Sequence, residues 1–221
     1  MDNLSAKRIE PPDHQASGAA LYSINTVIPP RQPQPERRAE ILCQRPMTVW
    51  LTGLSGAGKS TIAAALEARL LTLGRLPYVL DGDHLRHGIN GDLGFSEAAR
   101  RENIRRTAEI AAMFNDAGLI VIVARISPYR SCRETARRII GSDRFLEVHI
   151  ATELAVCERR DIKGLYRRAR AGEIPEFTGI SSAYEEPESP DLAIDTGTVD
   201  LGQAAESLLR MLTQRGAVAA T

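Results

Sequence analysis

From residue 47 onward, short apolar runs alternate with longer stretches whose apolar residues recur at helical spacing. The run MTVWLT at 47–52 predicts a strand. The helical spacing after it is carried by Ile62, Leu66, Leu70 and Leu73. Gly74 then marks the end of that helix. Because the run LIVIVA at 119–124 is apolar throughout, it is typical of a strand buried on both faces, and the alternation predicts an α/β fold with a parallel sheet.

The remaining elements follow from the same patterns. We predict three further strands over LPYVLDGD, FLEVHI and DLAID, the first of which ends at Asp81–Asp83. A long helix is predicted from about Glu97 to Ala117, with Gly118 closing it. A last helix is predicted over about 200–214. Ligands of such a sheet bind at the carboxyl ends of its strands.

Two more helix starts are predicted from local signals. Ser131 and Glu134 stand in the S-x-x-E pattern of a capping box, which predicts a helix from Ser131 to about Ile140. A short helix is predicted to begin at Thr152, directly after the fourth strand.

Residues 1–44 differ in composition from the rest of the chain. The stretch PPRQPQPERRAE is rich in proline and polar residues and cannot bury much apolar surface. We therefore predict an extended linker or arm over 1–44 and a folded domain over 45–221. Three alternatives stay open for the apolar stretch ALYSINTVI at 20–28, namely packing on the domain, packing on a partner, and disorder.

Composition and charge exclude several kinds of partner. The 221 residues suffice for one domain and an appendage. Basic and acidic residues number 28 each, and this balance argues against binding nucleic acid or a membrane surface through net charge.

Since the chain lacks both a membrane-spanning apolar run and an apolar signal core, we expect a cytoplasmic protein. Cys43, Cys132 and Cys157 show no metal or redox spacing and are expected to be free thiols.

The segment GLSGAGKST at 53–61 follows the first strand and matches the pattern G-x-x-x-x-G-K-[ST] completely. Its glycines let successive N–H groups turn toward anionic oxygens, and the following helix points its positive end to the same place. Lys59 adds a charge near the β- and γ-phosphates, and the Ser60 hydroxyl can hold Mg²⁺. We predict that ATP contacts Gly53, Ser55, Gly56, Ala57, Gly58, Lys59, Ser60 and Thr61.

Several motifs of other nucleotide-binding proteins are missing, and their absence favours a small kinase that transfers the γ-phosphoryl group. LIVIVA runs into Arg125, Ile126 and Ser127 rather than into the usual magnesium-binding aspartate. The guanine-reading motif N/T-K-x-D is absent, and the chain is short for a motor or transporter ATPase. Asp81 and Asp83 lie on the rim where the phosphate loop opens, so they can reach the Mg²⁺ shell and an acceptor hydroxyl. A plain polar turn is the alternative interpretation.

A basic segment, CERRDIKGLYRRARAGE, follows the fourth strand. Its basic residues are Arg159, Arg160, Lys163, Arg167, Arg168 and Arg170. One interpretation is a solvated helix face. The other is a mobile basic lid, which small kinases carry at this position and which closes cations over the phosphates.

A second basic segment, RRENIRR, is preceded by Arg86. Arg100 and Asn103 are three residues apart and share one helix face. Guanidinium groups suit bidentate contacts with phosphate or sulfate. Phe95 and Phe177 lie in loop-like sequence and either cap the core or stack on a purine.

In order and spacing, the segments above, together with LDGDHLRHGIN and ISPYR, resemble the adenylylsulfate kinase (APS kinase) family over about residues 45–212. Of these, KGLYRRARAGEIPEFTGI is far more specific than the phosphate loop alone. The resemblance implies a P-loop NTPase-type three-layer sandwich with a parallel central sheet and a basic lid. It implies transfer of the γ-phosphoryl group of MgATP to the 3′-hydroxyl of adenosine 5′-phosphosulfate, giving PAPS and ADP in sulfate assimilation. It also implies a free-standing kinase and a homodimer.

The resemblance implies roles for individual residues as well. Asp83 would lie near the 3′-hydroxyl, and Phe95 and Phe177 would sandwich the adenine. Arg100 and Asn103 would hold the phosphosulfate end and the ribose. The implied substrate-binding residues are Asp83, His84, Leu85, Arg86, Phe95, Arg100, Asn103, Ile126, Ser127, Lys163, Glu176 and Phe177. The implied catalytic residues are Lys59, Asp81, Asp83 and Ser127, the implied metal ligands are Ser60 and Asp81, and Arg160 joins the ATP site.

Members of the family often have a phosphoserine intermediate assigned at the position of Ser127. Because no general base is evident beside it in ARISPY, we expect direct in-line transfer instead. Two residues depart from the family pattern. His84 stands where asparagine is usual, and Arg125 puts a cation beside the pocket where a neutral residue is usual. Two alternatives stay open, a kinase of another small hydroxyl compound and a non-catalytic nucleotide-binding regulator.

Overall fold

The computed structural model describes residues 35–219, which contain a five-stranded, all-parallel sheet. The strands are β1 (Met47–Thr52), β2 (Pro77–Asp81), β3 (Ile120–Ala124), β4 (Phe145–Ile150) and β5 (Leu192–Ile194). They lie in the order β2-β3-β1-β4-β5, so the first strand is central. The predicted parallel sheet is confirmed.

Helices connect the strands and cover the sheet. They are α1 (Pro35–Leu42), α2 (Lys59–Thr72), α3 (Gly82–Arg86), α4 (Glu97–Asp116), α5 (Arg130–Ile140), α6 (Leu154–Arg160), α7 (Leu165–Arg170) and α8 (Leu201–Gln214). Alternate residues of β1 serve the two faces, since side chains of a strand point to opposite sides. Val49 and Leu51 pack with α2 and α8, whereas Trp50 packs with α4 and α5. The three-layer sandwich is therefore confirmed.

Most predicted element ends are confirmed, and β2 is the main exception among the strands. Gly74 follows α2 with φ of 67°, and Arg75 N–H donates to Leu70 O at 2.9 Å, which closes the helix. β2 ends at Asp81 and does not run on to Asp83. The reason is that the Asp81 carboxylate caps α3 by accepting the backbone N–H of Asp83 at 2.9 Å.

Both helices predicted from local signals are present, but the capping box at Ser131 and the start at Thr152 are wrong. α5 begins at Arg130, whose backbone N–H donates to the carboxylate of Glu185 at 2.7 Å. Ser131 lies inside the helix, where its Oγ accepts from Arg101 at 2.9 Å. α6 begins at Leu154. The Thr152 hydroxyl does not cap this helix but donates a hydrogen bond to the carbonyl oxygen of Ala57. A partner distant in the sequence thus replaces the local cap of α5, and distant partners engage the Thr152 hydroxyl before α6.

Within the arm or linker predicted over 1–44, the structure describes one helix, α1, which begins at Pro35. Gln44, just after this helix, is buried and its amide group donates to Gly118 O at 2.8 Å and accepts from Leu76 N–H at 2.8 Å. The helix thus leads into a segment tied to the domain. The apolar stretch at 20–28 lies outside the described residues. Within 35–219, none of the helices combines the length and hydropathy needed to cross a membrane.

Candidate active site

The phosphate-binding loop connects β1 to α2 and depends on glycine at defined positions. Gly53 has φ of 150°, and a Cβ built there would lie 2.5 Å from the carbonyl oxygen of Ile150. Gly58 has φ of 100° at the start of α2. Both values lie in the region that residues with a side chain rarely adopt. The loop therefore has the backbone form that the sequence pattern predicts.

Lys59 is buried at the base of this loop. Its ammonium group donates to the carbonyl oxygens of Gly53 at 2.9 Å and Leu54 at 2.6 Å. Burial is the main reason that the pKa of Lys59 is lowered to about 8. A desolvated cation beneath a loop of inward N–H groups is suited to bind phosphate oxygens.

Ser60 and Asp81 meet at the mouth of the loop. Ser60 Oγ donates to Asp81 Oδ2 at 2.6 Å, while Asp81 Oδ1 accepts the N–H of Asp83. A hydroxyl and a carboxylate are the hard oxygen donors that Mg²⁺ takes, usually with phosphate oxygens and water as its other ligands. Among residues 35–219 there is no cluster of three or more His, Cys, Asp or Glu able to hold a metal. The pair thus fits a magnesium ion shared with a nucleotide.

Asp83 faces the basic segment. Lys163, between α6 and α7, donates to its carboxylate in an ion pair whose side chains are both more than half exposed. This hydrogen bond is the largest reason that the pKa of Asp83 is lowered. The structure therefore brings the basic segment over the Asp81–Asp83 turn.

Arg100 joins the two loops that carry the predicted aromatic pair. It donates to Phe95 O at 2.7 Å, to Glu176 O at 2.5 Å and to Thr178 Oγ1 at 3.1 Å. Phe95 is 59% exposed, whereas Phe177 is 9% exposed. Arg100 thus holds the two loops together on one side of the site.

The partners of the two aromatic rings differ. Arg86 Cζ lies 4.1 Å from the centre of the Phe95 ring, in a cation–π contact. The Phe177 ring packs edge-on against Tyr166 at 5.1 Å. Of the α3 residues predicted with them, His84 is exposed and Leu85 packs against the apolar cluster formed by Trp50, α4 and α5.

Asn103, on α4, is fully buried, and its Oδ1 accepts from Asn90 Nδ2 at 3.0 Å. Its own Nδ2 makes no hydrogen bond with the described residues. The Ile126 carbonyl oxygen accepts from the Thr52 hydroxyl at 2.7 Å. Asn103 therefore keeps a free donor, while the backbone after β3 is bonded to β1.

Ser127 follows Ile126 and is almost fully buried. Its backbone has φ of 46°, which is uncommon for a residue other than glycine. Its Oγ accepts from the indole N–H of Trp50 at 3.0 Å, and its carbonyl oxygen accepts from Arg133 at 2.8 Å. The side chain is thus engaged with the core.

Sequence reasoning missed two contributors to the site. Thr196, just after β5, accepts from Arg160 at 2.7 Å and donates to the Ala57 carbonyl oxygen at 2.9 Å. Thr196 could have been found from the sequence, because it directly follows the predicted strand DLAID and ligands bind at the carboxyl ends of parallel strands. Arg133 was missed because nothing in the sequence connects it to Ser127. The Tyr166 hydroxyl, by its bond to Ser55 O at 2.8 Å, also ties the basic segment to the phosphate loop.

Comparison with known proteins gives consistent matches. The family model for adenylylsulphate kinase matches residues 45–195. The adenylyl-sulfate kinase of Prochlorococcus marinus is 56% identical over 166 residues, covering 75% of this chain and 83% of that protein. The APS kinase CysC of Mycobacterium tuberculosis, solved in complex with AMPPNP and APS, is 48% identical with a TM-score of 0.74, covering 76% of this chain and 98% of that one. The hexameric APS kinase of Thiobacillus denitrificans is 35% identical with a TM-score of 0.61, covering 79% and 30% of the two chains.

Proposed function

The chain belongs to the adenylylsulfate kinase family, and on this premise we propose how its residues carry out the reaction. The reaction transfers the γ-phosphoryl group of ATP to the 3′-hydroxyl of adenosine 5′-phosphosulfate, giving PAPS and ADP. A bond forms between the 3′ oxygen and the γ-phosphorus. The bond from that phosphorus to the β–γ bridging oxygen breaks, and the hydroxyl loses its proton.

One observation carries the proposal, namely the meeting of the phosphate loop with the Asp81–Asp83 turn. Ser60 Oγ lies 2.6 Å from Asp81 Oδ2, and Asp83 follows within the same turn. The residues suited to metal and phosphate thus stand beside a carboxylate that can receive a proton. This is the arrangement that transfer to a hydroxyl requires.

On the donor side, the N–H groups of the loop and Lys59 hold the β- and γ-phosphates. Ser60 and Asp81 would hold Mg²⁺, which would supply positive charge to offset the charge on these phosphates. Arg160, fixed by Thr196, braces the loop from the basic segment. Because Lys59 is desolvated, its charge acts on the transferring group with little screening by water.

On the acceptor side, Asp83 orients the 3′-hydroxyl and accepts its proton. In the empty enzyme this carboxylate is bound by Lys163, so the acceptor replaces that bond as it enters. Phe95 and Phe177 flank the adenine, and Arg100 fixes the distance between their loops. Asn103 offers its unpaired Nδ2 to the substrate.

We infer direct transfer, without a phosphoserine, from the surroundings of Ser127. Its Oγ is buried and accepts a hydrogen bond from Trp50. Within residues 35–219, this hydroxyl has no hydrogen bond to a carboxylate or imidazole that could remove its proton. A role in shaping the pocket after β3 accounts for both the burial and the positive φ.

Two variants test the mechanism in one steady-state assay. Ser127→Ala should lose about tenfold in activity, equivalent to ~1–2 kcal/mol, because only a hydrogen bond is removed. Asp83→Asn should lose at least about a hundredfold in kcat, because it removes the base but keeps the shape. Phosphate-labelled wild-type enzyme that passes its label to adenylylsulfate, together with an inactive and unlabelled Ser127→Ala, would overturn direct transfer.

The acceptor itself is tested by ATP turnover with adenylylsulfate against AMP, adenosine and gluconate. We expect turnover with adenylylsulfate and background rates with the others. Preference for another acceptor would favour a kinase of a different hydroxyl compound. ATP binding without turnover on any acceptor would favour a regulator.

We propose a homodimer in the cytoplasm. Free thiols at Cys43, Cys132 and Cys157 support a reducing compartment. One similar solved structure is a hexamer, so assembly differs among relatives. Native mass spectrometry of the full chain tests the proposal, and a monomer or a hexamer would contradict it.

A further inference from the structure

Arg125 occupies a defined place beneath the Asp81–Asp83 turn. β2 and β3 run parallel with Asp81 beside Ala124, so Gly82 and Arg125 leave the sheet side by side. A Cβ built on Gly82 would lie 3.7 Å from Arg125 Cγ and 3.8 Å from its Cζ. The guanidinium group is therefore packed directly against the backbone of the turn.

This guanidinium is buried yet has few partners. Arg125 is 7% exposed, and its Nη1 donates to Thr107 Oγ1 at 3.3 Å. No other hydrogen bond or ion pair of the side chain is present with residues 35–219. Burial of a charge without a directly bonded counter-ion is unfavourable, so such a group is expected to receive an anion in the working enzyme.

The charges around Arg125 favour the same conclusion. Burial lowers the pKa of Arg125 to about 10, and repulsion by Arg86 acts in the same direction, whereas Asp81 and Asp83 oppose them. The guanidinium group therefore stays charged at neutral pH. The two carboxylates already have partners of their own, namely Ser60, the backbone of the turn and Lys163. They hold Arg125 near the turn without forming an ion pair with it.

The other cations of the acceptor side are more fully bonded to the protein. Arg100 donates to three oxygens, and Arg86 donates to two carbonyl oxygens of its loop while covering the Phe95 ring. Lys163 is paired with Asp83. Of these four, Arg125 alone has a single neutral partner among residues 35–219, and it packs against Gly82 in the turn where transfer is proposed.

We propose that Arg125 binds the phosphoryl group after its transfer to the 3′ oxygen, and so holds the 3′-phosphate of the product. This inference rests on the proposed function. The role is electrostatic, because two carboxylates and the phosphates of both substrates gather negative charge at one point, and a fixed cation there offsets it. Adenosine 5′-phosphosulfate lacks the 3′-phosphate, so Arg125 discriminates product from substrate.

The test compares product and substrate affinity in Arg125→Met by calorimetry, with MgADP present. Affinity for PAPS should fall roughly tenfold to a hundredfold, since a charged hydrogen-bonding group is lost, whereas affinity for adenosine 5′-phosphosulfate should change less than about threefold. Arg125→Lys should restore part of the loss, because it keeps the charge without the planar fork. Arg86→Met is the matched comparison, and it should weaken both ligands alike because Arg86 stacks on Phe95.

Equal losses of both ligands in Arg125→Met, or no loss of either, would overturn the inference. If that variant does not fold, Arg125→Lys decides, since an unchanged ratio of the two affinities would count against the role. Wild-type turnover of adenylylsulfate is measured beside it. If wild type does not act on adenylylsulfate, the proposed function is contradicted. If wild type is active but the ratio of PAPS affinity to adenosine 5′-phosphosulfate affinity does not change in the variant, only this inference is contradicted.

Discussion

Lys59 and His149 are two bases that the fold buries, and burial is the main reason that the pKa of each is lowered. Lys59 meets phosphate in the proposed mechanism, which would favour its charged form again. His149, on β4, is 8% exposed, and its ring stacks on Tyr184 at 5.8 Å. Arg133 acts on His149 in the same direction as burial, whereas Glu186 and Glu147 oppose it. The imidazole is therefore a neutral part of the core.

This burial makes stability depend on pH. Below its usual value of 6.5, the unfolded chain takes up a proton that native His149 does not, so the free energy of unfolding falls on acidification and recovers above about pH 6.5. His149→Gln removes this contribution. Urea unfolding from about pH 7.5 to about pH 5 should show a shallower decline in the variant than in wild type.

His87→Gln is the control, because His87 is exposed, and it should follow wild type. Parallel curves for wild type and His149→Gln would contradict the prediction.

At the scale of elements, α8 shows how a helix is fixed by its own sequence. Asp200 accepts the backbone N–H of Gln203 at 2.9 Å, and the Gln203 side chain accepts the N–H of Asp200 at 3.4 Å. This is a complete capping box. The buried side of α8, with Leu208 and Leu212, then packs with residues of α2.

Asp200→Ala should lower the free energy of unfolding by about 1 kcal/mol, because the backbone N–H of Gln203 loses its partner. For a domain of this size the expected fall in Tm is about 2–4 °C. Calorimetry measures it, with Arg210→Ala on the exposed side of the same helix as control. Equal stability of the two variants would show that the capping box contributes nothing.

The strands and the phosphate loop were predictable because their signals are local. Apolar runs marked all five strands, and glycine spacing marked the loop. The cap of α5 was not predictable, since Glu185, 55 residues away, accepts its first N–H. Helix α1 was not predicted because the sequence around it is polar and proline-rich. The burial of Ser127 and Arg125 was not predictable either. It depends on contacts with Trp50 and Gly82 that form only in the folded sheet.

At the scale of the whole domain, the site is assembled at the carboxyl edge of the sheet. The phosphate loop follows β1, Asp81 ends β2, Arg125–Ser127 follow β3, the basic segment follows β4, and Thr196 follows β5. Every strand thus contributes, as is usual for parallel sheets. The Lys163–Asp83 ion pair joins the basic segment to this edge.

Lys163→Met should loosen the basic segment in the ligand-free enzyme. Hydrogen exchange of the amides at 161–176 should be faster than in wild type, because the bond to Asp83 is lost, and added salt should have the same effect on wild type. Arg167→Met, which removes an exposed charge of the same segment, is the matched control and should leave exchange unchanged. Unchanged exchange in Lys163→Met would show that the ion pair does not hold the segment.

The hydrogen bond between Trp50 and Ser127 has an optical consequence. Trp50 is the sole tryptophan of the chain, so its indole emission comes from a single position beneath the proposed acceptor pocket. Indole fluorescence responds to the partner of its N–H group. A fluorescence titration of the unmodified protein therefore reports on the state of that pocket without an attached dye.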